Sequence, residues 1–245
     1  MRLHAVQQHR LALSPQLPDG LSGIGDGQAQ VVVGVVLVDD PELDVVLGRD
    51  AGKRREFAGG RLTDVAASAP FLAMGFSAIE GTAFATGSKA GLGLEAVIAS
   101  ADVEDATRPR RFNPLTASGS ATLAEERWTG VFDLARNDIV LGKLTLAHDG
   151  TTGEGGIVIE APSLTFAEGG LQPADLSPLA ADFVQSPATG TAAFSGRLNW
   201  SDDLPEGTSS GRLVIPGLDF VSPAGAVKGL SGTIDFTNLA PLTTA

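Results

Sequence analysis

Apolar and polar residues alternate with a period of two along most of this chain, the spacing of strands rather than helices. Leu92, Leu94, Ala96 and Ile98 fall on one side of a strand, and Trp128, Gly130, Phe132 and Leu134 on one side of another. Ala192, Phe194, Gly196, Leu198 and Trp200 form the longest clean series, with Thr191, Ser195, Arg197 and Asn199 on the opposite side. Between Ile139 and Ala147 the phase slips at Gly142, which predicts a bulge that restores the apolar side. Asp149-Gly150 and Glu206-Gly207 stand where hairpin turns should fall. Further on, Leu213 and Ile215 alternate with Arg212 and Val214, and Pro216-Gly217 reads as a turn before Leu218 and Phe220. Ser222-Pro223 turns again, and Ile234 and Phe236 alternate with Thr233 and Asp235.

One helical island interrupts the strands. Ser177-Pro178 supplies a cap and a first-turn proline, and Leu176, Leu179, Ala180 and Phe183 recur at helical spacing, predicting a short helix over about 177–184. The fold expected is all-β: a long, curled antiparallel sheet with this single helix, from similar units laid side by side. Residues 62–245 make up that repetitive segment. Residues 1–61 form a separate segment, poorly ordered before about residue 25, in which Val31–Val38 returns as Leu43–Leu47 or the text is not native in-frame sequence.

Composition suits such a sheet: 31 Gly and 14 Pro, 43% hydrophobic residues but 5% aromatic, and neither Tyr nor Cys. Without Cys there is no disulfide framework and no thiolate metal site. The formal net charge is −12, which argues against nucleic acid, because phosphate neutralisation needs a basic stripe. The basic clusters Lys53-Arg54-Arg55 and Arg108-Pro109-Arg110-Arg111 read as solvated turns. The run Val31–Val38, broken by Gly34, falls far short of the roughly 20 residues of a spanning helix.

Candidate chemistry is sparse. Gly91-Leu92-Gly93-Leu94-Glu95-Ala96 fits a relaxed dinucleotide pattern, but strand-like Val97-Ile98-Ala99 follows where a helix is needed. The acidic pairs Glu104-Asp105, Glu125-Glu126 and Asp202-Asp203 lie in turn-like text, the usual place of solvated carboxylates. His148 has no second His nearby, and Ser77 in Gly75-Phe76-Ser77-Ala78-Ile79 lacks the second glycine of a nucleophile elbow. These readings predict no enzyme, no cofactor and no metal.

The apolar side therefore carries the functional question. It either packs on a second layer as the core of a self-packed sandwich or solenoid, a scaffold or adhesive domain without ligand, or curls into a trough of dry surface. The residues expected to line such a trough are Phe132, Leu134, Phe166, Phe194, Leu198, Leu213, Ile215, Leu218, Phe220, Ile234 and Phe236.

The last stretch of the chain favours the trough by resemblance. Gly211 to Phe220, GRLVIPGLDF, and Ser222 to Thr244, SPAGAVKGLSGTIDFTNLAPLTT, resemble the C-terminal region of the YdbH-like proteins, large AsmA-type bacterial proteins that carry phospholipid between inner and outer membranes. Leu164-Thr165-Phe166, Gly169 to Pro173 and Asp175 to Leu179 are similar to that family as well. The likeness is good over about residues 155–245, loose over 80–155 and not visible before about 62. It implies a non-catalytic β-groove module for phospholipid acyl chains, in the periplasm, as a fragment of a longer protein whose other parts hold an inner-membrane anchor. It also implies an outer-membrane or periplasmic partner at the C-terminal end of the full-length protein.

Overall fold

A computed structural model describes residues 36–37, 45–50, 55–69, 73–88 and 91–245. The described strands are β1 (Val36–Leu37), β2 (Val45–Asp50), β3 (Arg55–Ala69), β4 (Met74–Ser88), β5 (Gly91–Asp105), β6 (Leu115–Ala124) and β7 (Arg127–Arg136). They continue as β8 (Ile139–Asp149), β9 (Gly155–Phe166), β10 (Gln185–Ser201), β11 (Leu204–Ser222), β12 (Gly225–Leu239) and β13 (Leu242–Thr244). All thirteen belong to one sheet, and from β3 to β13 every strand pairs antiparallel with the next. The expected all-β meander is what forms, in a single sheet.

The alternation read from the residues places the faces. Leu198 pairs with Ile157, Ile157 with Leu146 and Leu146 with Gly130, so one transverse row is apolar from β10 to β7. On the other face Asp133, Lys143, Glu160, Ser195, Arg212 and Asp235 follow one another across six strands. Ions of opposite sign meet there, Lys143 with Asp133 and Arg212 with Asp235, each at 2.6 Å. Cross-strand pairs of this kind help to fix register on a solvated face, where a slip of one residue would set Lys143 opposite Phe132 or Leu134 and Arg212 opposite Ile234 or Phe236.

Turns and breaks refine the expectation. Glu125-Glu126 and Asn137-Asp138 have positive φ at both residues, the backbone that a two-residue hairpin requires. Asp149-Gly150 lies at the turn from β8 to β9, as expected. The register slips between Leu134 and Ala135 opposite Val140 and Gly142, leaving Leu141 as the extra residue and burying it. Two predicted turns are instead part of strands. Pro216-Gly217 sits inside β11 at a register shift, because proline removes one ladder donor without ending the strand. The β10–β11 turn is at Asp202-Asp203, and Gly207, with φ +69, lies within β11.

The predicted helix is two single turns, α1 (Pro173–Leu176) and α2 (Pro178–Ala181). Ser177 divides them: its hydroxyl accepts from the Leu179 N–H, and proline follows at the first helical position. Phe183 points outward, 70% exposed, and Val184 packs inward in its place. Among the described residues no helix is long and apolar enough to cross a membrane.

Strand β3 runs without a break through residues 61 and 62, and β1 and β2 both pair with it. The described part of Val31–Val38, Val36-Leu37, pairs with Val65-Ala66 and not with Val45–Leu47. The order expected before residue 25, and the rest of that hairpin, lie outside the described residues.

Candidate functional site

In a meander the connections alternate between the two ends of the strands. One rim carries Ala73, residues 106–114 and the helical segment 167–184; the other carries residues 125–126, 150–154, 202–203 and 240–241. In a flat sheet the β5–β6 loop and the end of β12 would lie on the order of 30 Å apart along the sheet, at about 4.8 Å per strand, and at opposite rims besides. Yet an Arg111 Nη1–H donates to the Leu239 carbonyl at 3.0 Å. The sheet is therefore curled across its apolar face until the rims meet.

Arg111 is the junction of that closure. Its Nε and Nη2 donate to the two carboxylate oxygens of Asp105 at 3.0 and 2.8 Å, and Nη2 also approaches the Ala73 carbonyl at 3.4 Å. The Asp105 side chain has no exposed surface, and that of Arg111 is 12% exposed. Burial pushes the Asp105 carboxyl upward. The Arg111 guanidinium, the backbone N–H groups of Thr107 and Arg111 and the Thr107 hydroxyl outweigh it and hold the group well below the usual carboxylate range. The expected solvated turn at Arg108–Arg111 is thus overturned for Arg111, and the expected loop acid for Asp105. Each found a buried partner that neither residue's immediate neighbours announce.

The helical segment is fastened to the same loop. Ser177 Oγ donates to the Arg111 carbonyl at 2.6 Å, and Asn113 Nδ2 donates to the carbonyls of Ala174 and Asp175 at 2.8 and 3.1 Å. Gln172 exchanges two side-chain bonds with the backbone of Ala188, which is fully buried at the start of β10. Leu171, Leu176 and Val184 then pack on Leu164, Phe166 and Leu218. A second cluster, Val103, Ala117 and Leu134, is covered by Phe112 and Leu115 from the loop side.

The eleven residues expected to line the apolar face share it, but not one environment. Phe166, Leu218 and Leu134 are buried at 6%, 4% and 9% exposure, and Phe194, Leu213, Ile215 and Phe220 pack against the first cluster. Phe132 is half-buried between Gly119 and Leu144, and Leu198 is half-buried beside Ile157. The row Ala161, Phe194, Leu213, Ile234 ends on an Ile234 that is 40% exposed. Phe236 meets Phe194 edge to face at 6.5 Å between ring centres.

Glycines let these rings lie against the sheet. A Cβ on Gly130 would stand 2.9 Å from Phe132 Cε2, and one on Gly211 2.9 Å from a Leu239 methyl and 3.3 Å from Phe194 Cε2. At the opposite rim Trp128, His148, Gly155 and Trp200 form one row, and the Trp200 indole N–H donates to His148 Nδ1 at 3.2 Å. A concavity of about 620 Å3 is lined by Asp133, Lys143, Glu160 and Arg212 of the charged row together with Leu141 and Phe194.

The YdbH-like family model, described as intermembrane phospholipid transport protein YdbH, matches residues 5–245. The matched span takes in residues before 62, where the residues alone show no resemblance. Neither a curated protein nor a solved structure matches the chain.

Proposed function

We propose, for a chain that belongs to the YdbH-like family of intermembrane phospholipid transport proteins, that its curled apolar face carries phospholipid acyl chains without catalysis. The observation that supports this reading is the gradient along one face. Where the loop and helical segment cover it the side chains are buried, and beyond them Phe132, Phe194, Leu198, Leu213, Ile234 and Phe236 stay half-buried or exposed, with no second sheet among the described residues. A row of large apolar groups left partly open to water gains free energy from any apolar guest. Each methylene of an acyl chain transferred there contributes about 0.8 kcal/mol, so a sixteen-carbon tail contributes on the order of 10 kcal/mol. That attraction has no direction, so a tail slides along the face while its headgroup stays in water. The setting is the bacterial periplasm, between inner and outer membranes, and the cargo is phospholipid.

The lining therefore divides in two. Phe166 and Leu218 serve the protein's own packing, and the half-buried members meet the lipid. Photocrosslinking amino acids at Phe194 and Ile234, in cells that make the whole protein, are expected to capture phospholipid, while the same probe at Arg197 or Asp235 on the outer face captures none. Equal labelling from both faces would overturn the reading, as would native mass spectra of the purified protein free of lipid.

A further inference from the structure

We propose that Arg111 is the positioning residue of a releasable strap that closes the mouth of the groove, so that acyl chains travel along the sheet and do not leave sideways. This rests on the groove reading above. The strap is the β5–β6 loop joined to the helical segment through Ser177 to the Arg111 carbonyl, Asn113 Nδ2 to the carbonyls of Ala174 and Asp175, and the Asn113 N–H to the Leu176 carbonyl at 2.9 Å. These bonds lie within one rim and make it a single piece. The bond from Arg111 Nη1 to the Leu239 carbonyl crosses to the other rim.

The two sets of Arg111 bonds differ in what it takes to break them. Asp105 stays with the guanidinium whether the mouth is open or shut, because both belong to the same rim and their ion pair does not cross it. Opening separates a guanidinium N–H from a neutral carbonyl and exposes both to water, which replaces the bond. No buried charge is left unpaired, the event that makes breaking an interior ion pair so unfavourable. The planar fork of arginine is what allows both jobs at once, two nitrogens on the carboxylate and a third aimed across the mouth. Lysine can answer the Asp105 charge but has a single ammonium and cannot also span to Leu239.

Arg111→Lys is therefore the discriminating variant, and a chain without cysteine accepts spin labels cleanly at Arg108→Cys and Thr244→Cys, one exposed position on each side of the mouth. Pulsed electron resonance is expected to read one short distance in the parent and its loss to a longer, broader distribution in Arg111→Lys, with the far-ultraviolet circular dichroism unchanged. In parallel, the protein is loaded from phosphatidylethanolamine and phosphatidylglycerol vesicles containing phosphatidylethanolamine with a nitrobenzoxadiazole group on its acyl chain. Dithionite is expected to quench that group severalfold faster in Arg111→Lys. An unchanged distance distribution in Arg111→Lys overturns the strap, and so does equal quenching of the two loaded proteins. If neither protein takes up lipid, the groove reading fails and confinement of acyl chains fails with it, whereas a lengthened distance in that case still supports Arg111 as the residue that closes the mouth.

Discussion

Truncating Arg111 to alanine tests how much of the stability of this sheet rests on its buried ion pair with Asp105. The substitution removes bonds of 3.0 and 2.8 Å to Asp105 and the donors to the Leu239 and Ala73 carbonyls. An exposed ion pair is worth about 0–1 kcal/mol, whereas removing one partner of a buried pair costs about 3–5 kcal/mol by leaving a charge without solvent or counterion. Side-chain exposures of 12% and 0% put Arg111 and Asp105 in the second class. The pH dependence follows from the lowered Asp105 carboxyl. A carboxyl whose folded pKa lies below its unfolded value, about 3.9, contributes stability that is complete above that value and is lost as pH falls through the folded one. The native protein therefore keeps this contribution whole down to about pH 4 and loses it progressively in stronger acid. In Arg111→Ala the upward push of burial loses its main opponent, so the orphaned carboxylate destabilises most at neutral pH and the deficit narrows toward pH 4. Urea unfolding followed by circular dichroism and by the fluorescence of Trp128 and Trp200 measures both. The double variant Asp105→Asn with Arg111→Met, which leaves no charge, is expected to recover most of the loss. A deficit under about 1 kcal/mol at neutral pH, or one as large in the double variant as in the single, would refute the reasoning.

Two further outcomes separate packing from lining. Phe166→Ala, at a residue 6% exposed in the covered cluster, is expected to cost about 3–5 kcal/mol in urea unfolding, whereas Phe132→Ala, at a half-buried position, costs clearly less and instead lowers the lipid recovered with the purified protein. Gly130→Ala places a Cβ 2.9 Å from Phe132 Cε2 and 3.3 Å from the Ser120 carbonyl, so the ring must swing off the sheet into the groove; the expected result is reduced lipid loading with unchanged circular dichroism, and full loading would show that the ring does not border the lipid path.

How much of this was legible in the residues depends on the range over which each feature is decided. Which side chains share a face is local: a period of two sends Phe194, Gly196 and Leu198 one way and Ser195 and Arg197 the other whatever the rest of the chain does. The apolar face could accordingly be read, as could the slip near Gly142 and the cap at Ser177. Whether Pro216-Gly217 ends a strand is less local, since β10 and β12 hold the backbone on either side and the ladder absorbs the missing donor as a register shift. The helical segment shows the same competition. Apolar spacing assigned Phe183 to the interior, but the bonds of Gln172 to Ala188 and of Ser177 to Arg111 fix the segment by its other end, and Val184 takes the inward place. The closure is decided at the longest range. Arg111 and Leu239 are 128 positions apart, and no local rule distinguishes an arginine that will be wetted from one that a curling sheet will carry to a carbonyl on the opposite rim. Asp105 precedes Arg111 by six positions, close enough for the charges to have been matched. What could not be matched from the residues is the burial of that pair, because side chains are shut off from water only once the β5–β6 loop has folded over them.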